Sequence, residues 1–237
     1  MEIIQENLPK HIAIIMDGNR RWAKERGLQP AEGHRQGAKT LEKLAKYCSK
    51  IGIKHLTVYA FSTENWKRSK DEVNSLMLLL KNYLTKFSKD VNKENIKIKV
   101  LGDLDSLEHD LKKSINDAIE RTKNNTGMIV NVALNYGGRA EITNAVKKIA
   151  EKIKNNQLAV EDISENTVNK YLYTEGQPDP DLLIRPGGEL RTSNFLPWQL
   201  VYSEFWFPNK YWPEFSEKDI DEAIEIFQTR NRKFGGK

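Results

Sequence analysis

The residues best suited to chemistry cluster where apolar runs end. The run Ile12–Met16 closes on Asp17, Gly18, Asn19, Arg20 and Arg21. Gly18 lets the backbone turn tightly and leaves amide N–H groups free to meet an anion. Asn19 suits a helix N-cap, and the positive end of that helix dipole would add to the same preference. Arg20 and Arg21 supply fixed positive charge of the kind that holds phosphate. Asp17 would repel a phosphate unless a divalent cation bridges the two, and Mg²⁺ commonly takes one or two carboxylates together with phosphate oxygens. The plainer alternative is a capped helix start with surface arginines.

Three further clusters share this placement. "FSTENWKRSKDE" holds Ser62, Thr63, Glu64, Asn65, Trp66 and Arg68 within seven positions. Capping explains its Ser, Thr and Asn but not Trp66 and Arg68. "IRPGGELRTSNF" sets Arg185 and Arg191 around a Pro-Gly-Gly turn, with Ser193 two residues on. Two guanidinium forks, a hydroxyl and glycine-rich backbone suit a diphosphate; a loop with solvent-facing arginines is the alternative. The fourth cluster is Asn135–Arg139. Glu204, inside the apolar stretch "LVYSEFWF", is either a second metal ligand or the outward residue of an edge strand. His34 in "EGHRQG" stands at a helix start, as a cap or packing residue unless the clusters converge on it.

Short β-prone runs must place these clusters. Ile12–Met16, His55–Ser62, Ile96–Gly102, Met128–Gly138, Asp181–Arg185 and Leu200–Phe207 read as strands. Helices are predicted from Gly33 to about Ser49, from Asp71 to about Val91, along the Leu107–Thr122 face, along the Ile142–Ile153 face, and from Glu217 to about Arg230. Alternation of the two predicts an α/β fold with a largely parallel sheet covered by helices on both faces. No flexible linker divides the chain, so residues 1–237 are expected to form one domain. Ligands in such sheets bind beyond the carboxyl ends of the strands, where all four clusters fall.

Composition narrows the class. The 237 residues are 38% hydrophobic and 30% charged, with a net charge of +5. A basic surface could favour nucleic acid, an anionic membrane or small phosphorylated substrates, or be a lysine-rich solvated face. No recognised nucleic-acid motif is present. No apolar run approaches the roughly 20 residues of a membrane span, and the first residues lack a signal-peptide pattern. The lone Cys48 excludes a disulfide framework, and four scattered histidines make a zinc site unexpected. A cytoplasmic location is expected.

The helix around Asp71–Val91 has more apolar surface than one stripe requires, because Leu78, Leu79 and Tyr83 fall outside the main face. Either it is buried between sheet and neighbours, or its second face lines an apolar cavity. A phosphate-binding mouth beside an apolar cavity would suit an amphiphile with a diphosphate head and a hydrocarbon tail.

The motifs "HIAIIMDGNRRWAK", "GHRQGAKTL", "LTVYAFSTENWKRSKDEV", "NVALNYGGRAEI" and "IRPGGELRTSNFLPWQLVYSEFWFPNKYWPEF" resemble those of the cis-prenyltransferases, in particular the bacterial isoprenyl transferases. The resemblance runs from His11 to the "RKFGG" ending. It implies repeated Z-condensation of isopentenyl diphosphate onto an allylic diphosphate, farnesyl diphosphate being expected. The implied product is undecaprenyl diphosphate, precursor of a cell-wall lipid carrier. It further implies Mg²⁺, a homodimer, an apolar tunnel in each subunit and peripheral contact with the inner face of the membrane on product release.

Residue by residue, the same resemblance assigns Asp17 to the essential metal site, with Glu204 as second metal contact. Gly18, Asn19, Arg20 and Arg21 match the allylic diphosphate loop. Trp22, His34, Ser62, Thr63, Glu64, Trp66 and Arg68 match other substrate contacts, and Asn65 the residue that helps proton removal. Arg185, Arg191, Thr192 and Ser193 match the isopentenyl diphosphate site. Pro30 stands where family members commonly carry an arginine, so Arg26 or Arg35 is the expected replacement. A catalytically silent partner subunit is the competing class; retention of Asp17, Arg185, Arg191 and Ser193 speaks against it.

Overall fold

A computed structural model describes residues 7–230; the "RKFGG" ending lies outside them. The strands are β1 (His11–Ile15), β2 (His55–Ser62), β3 (Lys97–Leu101), β4 (Ile129–Tyr136), β5 (Leu182–Ile184) and β6 (Glu204–Trp206). They form a six-stranded sheet in the order β3-β4-β2-β1-β5-β6, with every pairing parallel. The α-helices are α1 (Asn19–Glu25), α2 (Pro30–Ile51), α3 (Lys70–Asn92), α4 (His109–Thr122), α5 (Gly138–Lys154), α6 (Glu165–Asn169) and α7 (Glu217–Thr229).

Alternation along the strands builds a core on each face. Ile12, Ile14, Leu56, Val58 and Ile184 point to the side packed by α2 and α7 through Leu41, Leu44, Ile220 and Ile224. Ala13, Ile15, Leu183 and Ala133 point the other way, onto Phe195, Leu196 and Leu200. Helix α5 joins that second face through buried Glu141, which accepts hydrogen bonds from Tyr136 and Gln199. Burial on both faces is why β1 reads as an unbroken apolar run.

Three boundaries differ from the sequence reading. Helix α2 starts at Pro30, because proline lacks only an N–H that the first turn leaves unbonded anyway. Asn19 is the first helical residue of α1 and not its cap. Gly18 takes the cap position at φ 97°, and the Asn19 amide reaches back to the Met16 carbonyl at 3.0 Å. The last strand shrinks to Glu204–Trp206, since residues 197–202 form turns.

Candidate active site

The clusters at Asp17–Arg21, Ser62–Arg68, Asn135–Arg139 and Arg185–Ser193 follow β1, β2, β4 and β5, four strands adjacent in the sheet. Parallel pairing puts all four at one edge. Asp17 is the hub. Its Oδ2 accepts from Arg185 Nη2 at 2.9 Å, and its Oδ1 accepts from the Gly18 amide at 2.6 Å and faces Arg21 Nη2 at 3.2 Å. Burial alone would raise the Asp17 carboxyl, but the Arg185 hydrogen bond, with the charges of Arg185 and Arg21, holds it below the ordinary value. It is therefore an anion at neutral pH. Gly18 permits this geometry: its φ is 97°, and a Cβ there would stand 2.6 Å from the Tyr211 ring.

Arg185 is 4% exposed, which makes its charge costly unless paired. Besides Asp17 it donates to Ser193 Oγ at 2.9 Å and to the Arg191 carbonyl. Arg21 donates to the Gly187 carbonyl at 2.8 Å, joining the loops after β1 and β5. Arg191 reaches outward and pairs with Glu189 at 2.5 Å. Arg20 and Arg68 converge on Glu72, at 3.4 and 2.9 Å.

These groups rim a cavity of about 710 Å³. Asp17, Ser62, Asn65, Arg185, Arg191 and Ser193 lie on its wall, as do Asn19, His34, Glu64 and Arg68. The apolar wall comes from α2 and α3, through Ala38, Leu41, Leu76, Leu79, Leu80 and Tyr83. A second cavity of about 690 Å³ shares Asp17, Asn19, His34 and Arg68 and adds Gly18, Arg20, Arg21 and Lys24. Four residues on these walls each carry a buried polar atom with no partner among the described residues: Asn19 Oδ1, His34 Nε2, Tyr83 Oη and Arg185 Nε. Unpaired buried polar atoms on a cavity wall are what a polar ligand satisfies. Burial, then the positive charge of Arg68, pushes His34 down to about 4, so the ring is neutral at physiological pH.

Several expectations change. Trp22, Thr63, Trp66 and Thr192 line neither cavity. Trp22 lies under Arg26, whose guanidinium is 4.7 Å from its ring centroid. Trp66 donates to Asn135 Oδ1 at 2.7 Å and packs edge-on against Phe61, bracing the turn that carries Asn65. Asn65 Oδ1 accepts from the Ser62 amide at 3.1 Å, so its oxygen is committed to capping and only its Nδ2 donor remains for a ligand. Glu204 pairs in register with Leu182, which pairs with Ile12, placing it at the opposite end of the sheet from Asp17. It makes an ion pair with Arg230 at 2.7 Å and does not meet Asp17 within the chain. Arg26 bonds Glu214 and Arg35 pairs with Glu32, and neither lines these cavities, whereas Lys24 lies on the second cavity wall. Of the second apolar face of α3, Leu79 and Tyr83 line the cavity but Leu78 is 60% exposed.

Sequence reasoning missed Glu72, Glu189 and Asn194. Glu72 lies four residues after Arg68 on a predicted helix, a legible pairing. Glu189 meets Arg191 two residues on and Arg21 across the site, and Asn194 meets Glu64 130 residues away, a contact with no local signal.

No group of three or more metal-ligating side chains occurs among the described residues. Asp17 at a phosphate-suited mouth still fits Mg²⁺, because that ion needs only one or two carboxylates and completes its shell with phosphate oxygens and water.

A family model described as "Putative undecaprenyl diphosphate synthase" matches residues 15–235. The chain is 50% identical to an isoprenyl transferase of Clostridium perfringens over 99% of its length and 92% of that protein. It is also 50% identical, over 97% of its length and 92% of the other's, to a farnesyl-diphosphate-specific ditrans,polycis-undecaprenyl-diphosphate synthase of Micrococcus luteus. The crystal structure of lavandulyl diphosphate synthase from Lavandula x intermedia, in complex with dimethylallyl diphosphate, matches with a TM-score of 0.95 at 40% identity, over 97% of this chain and 99% of that one. With this sheet, this ring of cations and these relatives, the chain belongs to the undecaprenyl diphosphate synthase family of isoprenyl transferases, enzymes that elongate prenyl chains.

Proposed function

We propose that the chain, acting as one domain over residues 1–237, condenses isopentenyl diphosphate repeatedly onto farnesyl diphosphate to give undecaprenyl diphosphate. The observation that carries this reading is Asp17, held between Arg185 and Arg21 at the mouth of a cavity with a leucine-rich wall. Arg185, Arg191 and Ser193 hold the isopentenyl diphosphate head. Gly18, Asn19, Arg20, Arg21, His34 and Arg68 hold the allylic head, with Lys24 taking the part of the arginine that Pro30 displaces. Ser62 and Glu64 shape the floor between them. Asp17 and the diphosphate oxygens would hold Mg²⁺, which when bound neutralises charge on the departing diphosphate. Departure leaves an allylic cation-like centre, and fixed guanidiniums already aimed at the leaving group stabilise the charge that develops there.

Asn65 acts as a donor that orients a diphosphate, since a capped amide is no base; the proton goes to the diphosphate. Growing product extends along α3 past Leu79 and Tyr83, making the cavity the entrance of an apolar tunnel. Val201 and Tyr202, 67% and 62% exposed just before edge strand β6, form part of the homodimer face. No helix among the described residues is long and apolar enough to cross a membrane. We propose a cytoplasmic enzyme that touches the membrane peripherally to release so apolar a product.

The test incubates purified protein with farnesyl diphosphate and labelled isopentenyl diphosphate, with Mg²⁺ or with a chelator, and sizes the products. Long Z-prenyl diphosphates formed only with the metal are expected. Turnover unaffected by chelation, or products of one addition only, would overturn the reading.

A further inference from the structure

One sequence cluster lines neither cavity although it ends β4, the strand next to β2 and its substrate loop: Asn135–Arg139. Its neighbours show what it does. The Gly138 amide donates to the Asn194 carbonyl at 2.8 Å, and the Arg139 amide donates to Asn194 Oδ1 at 2.9 Å. Only glycine admits so close an approach. A Cβ on Gly137 would stand 2.5 Å from Thr63 Oγ1 and 3.0 Å from Asn194 Nδ2; one on Gly138 would stand 1.9 Å from Pro197 Cδ. The other end of the same carboxamide, Asn194 Nδ2, donates to Glu64 Oε1 at 2.8 Å. One side chain therefore ties together the first turn of α5, the loop after β5 and the turn after β2.

The backbone beside it points the same way. Ser193, Asn194 and Leu196 adopt φ of 51°, 65° and 47°, left-handed values that non-glycine residues seldom take. Such a conformation persists only where surroundings hold it. Phe195 stacks on Tyr59 at 4.5 Å, and the Tyr59 hydroxyl donates to the Tyr136 carbonyl at 3.2 Å. Two of the strained residues, Ser193 and Asn194, line the cavity beside Arg191.

We propose that Asn194 is a positioning residue, seated on Gly137 and Gly138, whose carboxamide fixes the distance between the Arg191–Ser193 loop and the Glu64–Asn65 turn. Its side chain lies on the cavity wall, and it acts through those two segments. The proposal rests on the site reading above.

A donor–acceptor exchange tests it. Asn194→Asp keeps the shape and the acceptor for the Arg139 amide but sets a carboxylate oxygen against Glu64. Adding Glu64→Gln restores the hydrogen bond with its direction reversed, the new carboxamide at position 64 donating to the new carboxylate at position 194. Steady-state kinetics are measured for the wild type, Asn194→Asp, Glu64→Gln and the double variant. Asn194→Asp alone is expected to raise KM for isopentenyl diphosphate about tenfold, on the scale of a displaced charge-assisted contact, while KM for the allylic diphosphate stays within threefold. In the Glu64→Gln background the same substitution is expected to change neither KM more than threefold. Equal costs in both backgrounds, or no cost in either, would overturn the proposal. If Asn194→Asp does not fold, Asn194→Gly keeps the left-handed backbone and removes the carboxamide. It should show the same selective KM rise, and an unchanged KM would count against the assignment. A wild type without turnover would remove the site reading and this proposal together, whereas an active wild type with additive costs removes the proposal alone.

Discussion

The two ends of the sheet both carry polar side chains in a hydrophobic setting, yet they use them in opposite ways. At the amino end, His11, Thr57 and Asn131 are fully buried. His11 Nδ1 donates to the Pro178 carbonyl at 2.7 Å, and Nε2 accepts from the Thr57 hydroxyl at 2.7 Å. Asn131 donates to Thr57 and to Gln177, Gln177 also meets His55, and Asp181 accepts the Lys10 and His11 amides. These bonds fix the register of β1, β2 and β4; Asn131 Oδ1 and Gln177 Nε2 are left over among the described residues, but the network lines neither of the two cavities. At the carboxyl end Asp17, Arg185 and Ser193 are also bonded together, but around a cavity whose walls keep unpaired polar atoms. Polar groups packed away from those cavities serve the fold; polar groups on a cavity wall have hydrogen-bonding capacity that a ligand can use.

Substitutions should separate the two ends. Asp17→Ala should cut turnover more than about 1,000-fold, in keeping with loss of a preorganised charge at the leaving group, while circular dichroism shows an intact fold. Near-native turnover would end the metal assignment. His11→Ala should do the reverse, costing about 2–4 kcal/mol in urea unfolding through two orphaned partners and a small void, with turnover within threefold of wild type. A large activity loss at unchanged stability would erase the distinction between the ends.

Within the cavity, Leu79→Trp should shorten the products by one or more units, whereas Leu78→Trp should leave their length unchanged, because Leu79 faces the cavity and Leu78 faces solvent. Equal product lengths from both variants would count against growth along α3. The smallest effect is on pH dependence. Burial, its largest cause in each, pushes His11 and His34 down to about 4 from the ordinary 6.5. The unfolded chain therefore takes up protons that the native state refuses as pH falls from 6.5 toward 4, and stability drops through that window. His11→Asn should flatten that slope, measured by urea midpoints at about pH 7 and pH 4.5. An unchanged slope would mean that His11 is not held neutral.

What the sequence announced and what it hid differ for physical reasons. Apolar periodicity and turn residues are local, so all six strands, the helices long enough to show a periodic face and all four clusters were legible. Motif resemblance named the family. Asp17 read as an anion-site carboxylate because no folding reason gathers Asp-Gly-Asn-Arg-Arg at a strand tip. Tertiary structure alone decided which members of those clusters reach a common cavity. Strand order set Glu204 at the far end of the sheet from Asp17, and helix rotation put Leu79 rather than Leu78 on the cavity wall. It also gave Trp66 to Asn135 and seated Asn194 on Gly138, contacts between segments far apart in the chain. Such contacts depend on how distant segments pack, and a one-dimensional pattern fixes periodicity and turns but not the partners that a face meets.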